Sequence, residues 1–100
     1  RHFAAERDWG QYHTPRALAV SIAVETGELL EHVQWRTEDQ VHNHLEDTGK
    51  RQGMADEVAD VLIYGLMLAD SLGYEPLELL YSKLEKNREK YPETAANTPE

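Results

Sequence analysis

Apolar residues at Leu18, Ile22, Leu29 and Val33 recur at the spacing that lines one side of a helix. Thr14 can cap that helix and Pro15 fits its first position, so a helix is expected from Pro15 to about Trp35. Before it, residues 1–8 read as a helix that stops near Trp9 and Gly10. Residues 36–51, RTEDQVHNHLEDTGKR, carry no sustained apolar stripe and read as a loop with at most a short turn over 41–45. The next helix is expected from about 52 to 71 or 72, acidic at its start as the helix dipole favours, and stopped by Gly73. EPLELLYSKLEKNREKYP forms the last, with Pro76 near its start and Pro92 past its end. The segment ETAANTPE, residues 93–100, has too little apolar mass to pack and reads as a poorly ordered tail to a domain of residues 1–92. No strand pattern is convincing. The expected fold is all-α, a four-helix bundle-type chain.

VADVLIYGLMLAD, in the third of these helices, is apolar nearly all round rather than on one stripe. Such a helix sits at the centre of a large protein or at a subunit interface. A four-helix chain of 100 residues cannot easily surround it, so a homodimer, or a dimer of dimers, is expected.

Charge narrows the functions. Ten Lys and Arg against 19 Asp and Glu give a net charge of −9. Nucleic-acid affinity comes largely from basic residues neutralising phosphates, so no nucleic-acid partner is expected. A polyphosphate ligand would also be repelled unless cations bridged it. There is no cysteine, which excludes disulfides and thiolate metal sites and is compatible with a reducing compartment. No apolar run reaches membrane-spanning length and no signal-peptide pattern is present, so the protein is expected in the cytoplasm, away from membranes. The chain opens at Arg1 inside a helical pattern and without a methionine, which leaves room for a preceding leader.

VETGELLEHVQW places Glu25, Glu28 and Glu31 three apart on a helix, where like charges cost a few tenths of a kcal/mol per pair. Glu25 and Glu28 flank the apolar stripe. A second acidic pair, Glu57 and Asp60 in DEVAD, lies three apart on the following long helix. If the two helices run antiparallel, four carboxylates can face one another across a cleft. Ionised and empty, such a cleft is strongly repulsive. Hard oxygen ligands suit Mg²⁺, whose coordination is commonly completed by water and substrate phosphates. Either pair alone would be an ordinary solvated face; both together in apolar helices leave a metal site as open as that plainer reading.

The pattern ExxE, 28 intervening residues, then ExxD resembles the MazG-like all-α nucleoside triphosphate pyrophosphohydrolases. FAAERDW, YHTPRALA, ETGELLEHVQW, DEVADVLIYGLMLAD and SKLEKNREKYP, in that order from Phe3 to Pro92, are similar to the dCTP pyrophosphatase branch. The central loop and the tail match poorly. The resemblance implies hydrolysis of a nucleoside triphosphate, dCTP or a related dNTP, to monophosphate and pyrophosphate. It also implies Mg²⁺, with Mn²⁺ able to substitute, held by Glu25, Glu28, Glu57 and Asp60. Glu28 and Glu57 are the expected catalytic carboxylates, and Glu31 is at most a support to the ligands.

Lys83, Asn87 and Lys90 recur along one face of the last helix and would suit phosphate oxygens, although on spacing alone the lysines read as solvated charges. Tyr64 and Tyr91 lie in the similar motifs and are assigned to substrate beside an ordinary packing role. Trp9, His13 and Trp35 could stack on or hydrogen-bond a nucleobase, and the branch resemblance places them there. His42 and His44 read as exposed, and His2 and His32 receive no role. The competing expectations are a noncatalytic acidic dimerisation module, and a related pyrophosphohydrolase acting on dUTP or phosphoribosyl-ATP.

Overall fold

Residues 14–91 are described by a computed structural model, and every regular element among them is a helix. The four helices are α1 (Pro15–Leu30), α2 (Glu38–Glu46), α3 (Thr48–Ser71) and α4 (Pro76–Lys90). The expected helix over 1–8 and the tail from 93 onward lie outside the described residues.

Helix α1 begins as its sequence dictates: Thr14 Oγ1 accepts the Ala17 N–H at 3.1 Å and Pro15 occupies the first turn. Its end differs from the expectation. The regular helix stops at Leu30, and residues 31–35 form a run of turns rather than continuing to Trp35. Trp35 has φ 70°, in the left-handed region that ends helices. Arg36 secures the change, its Nη1 donating to the carbonyls of Glu31 and His32 at 3.1 and 2.9 Å. The apolar spacing carried no trace of this, because the decisive group comes from beyond the stripe.

The expected loop over 36–51 is instead the helix α2 and the first turn of α3. Thr37 and Gln40 form a reciprocal cap: Thr37 Oγ1 accepts the Gln40 N–H at 3.2 Å, and Gln40 Oε1 accepts the Thr37 N–H at 2.9 Å. Val41, His44 and Leu45 are its half-covered positions, a helical stripe hidden by the polarity of histidine. Asp47 then ends α2 and caps α3, accepting the Lys50 N–H at 2.9 Å. Helix α3 therefore starts at Thr48 rather than near residue 52.

At its far end α3 closes on the expected glycine. Gly73, at φ 89°, donates to the Asp70 carbonyl at 2.9 Å and Tyr74 to the Ala69 carbonyl at 3.1 Å, the paired bonds of a Schellman stop. Glu75 caps α4 by accepting the Glu78 N–H at 2.9 Å, with Pro76 in the first turn.

Helix α1 packs along α3, the principal contact of the described residues, while α2 covers the start of α3 and α4 touches α3 sparingly. Glu25 lies beside Asp60, and His32, farther along α1, lies beside Glu57, earlier in α3. The pair is therefore antiparallel. Leu18 and Ala69 are the buried apolar residues among those described, Leu18 fully so. Much apolar surface stays open, including Val58, Leu62, Ile63 and Leu66 on α3 and Leu77, Leu80, Tyr81 and Leu84 on α4.

Candidate functional site

Antiparallel pairing brings the two acidic motifs together. Glu25, half-buried on α1, has its carboxyl pushed above the usual glutamate range, first by burial and then by the charges of Glu28, Asp60 and Glu57. The closeness of the Asp60 carboxyl, which favours a protonated Glu25, adds to the rise. Oε1 of Glu25 is enclosed with no hydrogen-bond partner. Two ionised carboxylates offer each other no donor, so the Glu25–Asp60 contact becomes a hydrogen bond only when one of them keeps its proton.

These side chains are neighbours, not a closed cage. Among the described residues no three acidic or histidine side chains are drawn together as a ready ligand set. The donor chemistry nonetheless fits a hard divalent cation: four carboxylates, one with a buried oxygen that lacks any donor. Such an ion would relieve both the repulsion and the orphaned oxygen.

A histidine pair borders this acidic face. His32 Nε2 stands 3.4 Å from Glu57 Oε2. His32 Nδ1 lies 3.0 Å from His44 Nε2, and the two rings meet edge to face at 67°. His44 is thus half-covered rather than exposed, because it points from α2 toward the α1–α3 seam. Burial, then the charges of Arg36 and Lys50, lowers its pKa, which favours the neutral ring. His32, given no role from sequence, follows Glu25 by seven residues and so falls on the same side of the chain. That spacing was the available signal. His42 is exposed as expected and pairs with Glu46 at 3.3 Å.

The other expected substrate residues are scattered over the described surface. Tyr64 is half-buried on α3, one turn past Asp60. Trp35 is 92% exposed in the turn after α1. Lys83 and Lys90 are exposed on α4, Asn87 is half-buried between them, and the Lys90 ammonium lies 5.6 Å from the Tyr91 ring centroid. None of the described hydrogen bonds or ion pairs joins α4 to the acidic group. Trp9 and His13 lie outside the described residues.

The sequence profile of the MazG-like family matches residues 20–100, which contain both acidic motifs. The chain belongs to the MazG-like family. Among its relatives, dCTP pyrophosphatase 1 of Homo sapiens is 42% identical over 91 residues, which is 90% of this chain and 53% of the human protein. The mouse protein of the same name is 38% identical over 90 residues, with the same coverage. This MazG-like chain therefore spans about half the length of those relatives. A solved pyrophosphatase from Archaeoglobus fulgidus DSM 4304 is 46% identical, with a TM-score of 0.77, covering 93% of this chain and 85% of that one. At residue level the MazG-like assignment agrees with helices that carry the acidic pairs face to face.

Proposed function

We propose that this chain hydrolyses a deoxynucleoside triphosphate, with dCTP or a modified relative as the favoured substrate, to the monophosphate and pyrophosphate. The observation that carries the reading is that Glu28, Asp60 and Glu57 all bear on the half-buried Glu25 carboxyl, one oxygen of which is enclosed without a hydrogen-bond partner. Similarity to proteins named dCTP pyrophosphatase supports the choice of base. Glu25, Glu28, Glu57 and Asp60 would hold Mg²⁺, with Mn²⁺ able to substitute, and the bound ion would supply phosphate-charge neutralisation and an acidified water.

The chain's own part is to orient and deprotonate. Glu28 or Glu57 accepts the proton of the attacking water as the water oxygen bonds to phosphorus and the anhydride bond between the α and β phosphates breaks, leaving monophosphate and pyrophosphate. Lys83 and Lys90 supply positive charge, and Asn87 an amide, to phosphate oxygens. Trp9, Trp35 and His13 offer stacking faces and a polar edge for the base, with Tyr64 and Tyr91 completing the pocket. A second copy of the chain would cover the open apolar faces and bring α4 near an acidic cleft.

Pyrophosphate release from a nucleotide panel, followed while Mg²⁺ is titrated, tests this directly. The expected result is Mg²⁺-dependent turnover, fastest on dCTP, and at least a hundredfold loss in Asp60→Asn with the helical signal retained, about the effect of deleting a group that stabilises the transition state. Turnover that persists in chelator, or an unimpaired Asp60→Asn protein, would refute the site. Preference for dUTP or phosphoribosyl-ATP would keep the chemistry and change the substrate, and a folded protein inactive on every nucleotide would favour a noncatalytic acidic module.

A further inference from the structure

We propose that His32, steadied by His44, is a positioning residue that holds the Glu57 carboxylate toward the acidic cleft, making the short helix α2 part of the site's support. The inference rests on the metal-binding reading of Glu57 given above. Three elements meet at this point: His32 from the turns after α1, His44 from α2 and Glu57 from α3.

The His32 and Glu57 side chains are only 18% and 17% exposed, so protein contacts rather than water set their rotamers. On its other side the His32 ring approaches the Gly53 position, one turn before Glu57; a Cβ built there would lie 3.6 Å from Cε1. The ring is thereby confined between α3 and the edge-on ring of His44. Proton placement follows from the contacts. With Glu57 ionised, Nε2 of His32 must carry a hydrogen, or two lone pairs would face each other. His44 then completes the line through Nδ1 of His32, as donor to a neutral ring or acceptor from a charged one. In both states His32 offers Glu57 an N–H.

A carboxylate that accepts from one side has its remaining lone pairs directed to the other. Partners of this kind behind a metal ligand fix its orientation, and their loss costs about 10–100-fold in metal affinity or activity. At 3.4 Å the contact is longer than an ordinary N–H···O hydrogen bond, which leaves room for Glu57 to turn toward a bound cation while the imidazole follows.

The test titrates metal-free protein with Mn²⁺, reading free Mn²⁺ by electron paramagnetic resonance, beside melts in chelator and kinetics on dCTP. His32→Ala should weaken Mn²⁺ binding about tenfold and lower kcat more than it raises KM. His32→Gln, whose amide can still donate to Glu57, should recover most of the loss. His44→Ala should show a smaller loss, and the double variant should be no worse than His32→Ala, as for residues acting in one line. A folded His32→Ala that binds Mn²⁺ like wild type overturns the proposal, as does a His32→Gln no better than Ala. Should His32→Ala fail to fold, His32→Leu takes its place, because it fills the same space without an N–H, and a folded His32→Leu that binds Mn²⁺ and turns over dCTP like wild type would overturn the proposal equally. Wild-type protein that neither binds Mn²⁺ nor hydrolyses dCTP removes the metal-site reading itself, and this proposal with it.

Discussion

Glu25 is the residue where the fold and the chemistry conflict. Its carboxyl is held above the ordinary value of 4.5 by burial and by three neighbouring carboxylates. The folded state therefore binds that proton more tightly than the unfolded chain does. Glu25 contributes stability that is complete below 4.5 and is lost as the pH rises through its raised value. In chelator, wild type should fall in melting temperature relative to Glu25→Gln over that rise, because the neutral amide is indifferent to it. Adding Mg²⁺ should restore wild type and leave Glu25→Gln behind, since a ligand stabilises the state that binds it. Parallel pH curves for the two proteins in chelator would show that the cluster exerts no strain on Glu25. The acidic spacing announced this residue; its buried oxygen could be known only once α3 lay across it.

Among the elements, α2 shows how a helix can be hidden from a hydrophobic pattern. Its sequence EDQVHNHLE is polar overall, yet Thr37 and Gln40 satisfy each other's backbone N–H groups, and Glu38 and Asp39 complement the positive end of the dipole. Thr37→Ala removes one side of that cap and should cost about 1 kcal/mol, the usual price of a lost N-cap. Hydrogen exchange should show the loss concentrated in residues 38–46, with α3 protected by its own Asp47 cap. Loss spread evenly over α1 and α3 would mean that α2 does not open as a separate unit. Helices α1, α3 and α4 were legible because each carries strong punctuation: Thr14-Pro15, Gly73 and Pro76. The early end of α1 was not, because it depends on Arg36 reaching back to two carbonyls.

At the scale of the molecule, Leu18 and Ala69 are the buried apolar residues among the 78 described, too small a core by themselves to offset an ordering cost of about 1–2 kcal/mol of backbone entropy per residue. Val58, Leu62 and Leu66 recur every four residues on α3, and Leu77, Leu80 and Leu84 recur on α4, as ridges that stay exposed among the described residues. We propose that a second copy supplies the cover. Light scattering at micromolar concentration should give a dimer or a larger multiple, and Leu66→Asp should lose its cooperative melt rather than yield an active monomer. A stable, folded wild-type monomer would show that these ridges are covered from within the chain.

What the sequence determined by itself is local. Capping residues, glycine and proline stops and apolar spacing place α1, α3 and α4, and two acidic pairs at i and i+3 are visible as motifs, because each depends on neighbours a few positions away. Only the tertiary structure decided that Glu25 meets Asp60, that one Glu25 oxygen is left without a donor, and that His32 and His44 stand in line behind Glu57. Those facts follow from the antiparallel register of α1 on α3 and from the landing of α2 across them, which join residues far apart in the chain. Histidine in particular reads as a polar surface residue in a sequence, and its partners become known only when the helices are packed.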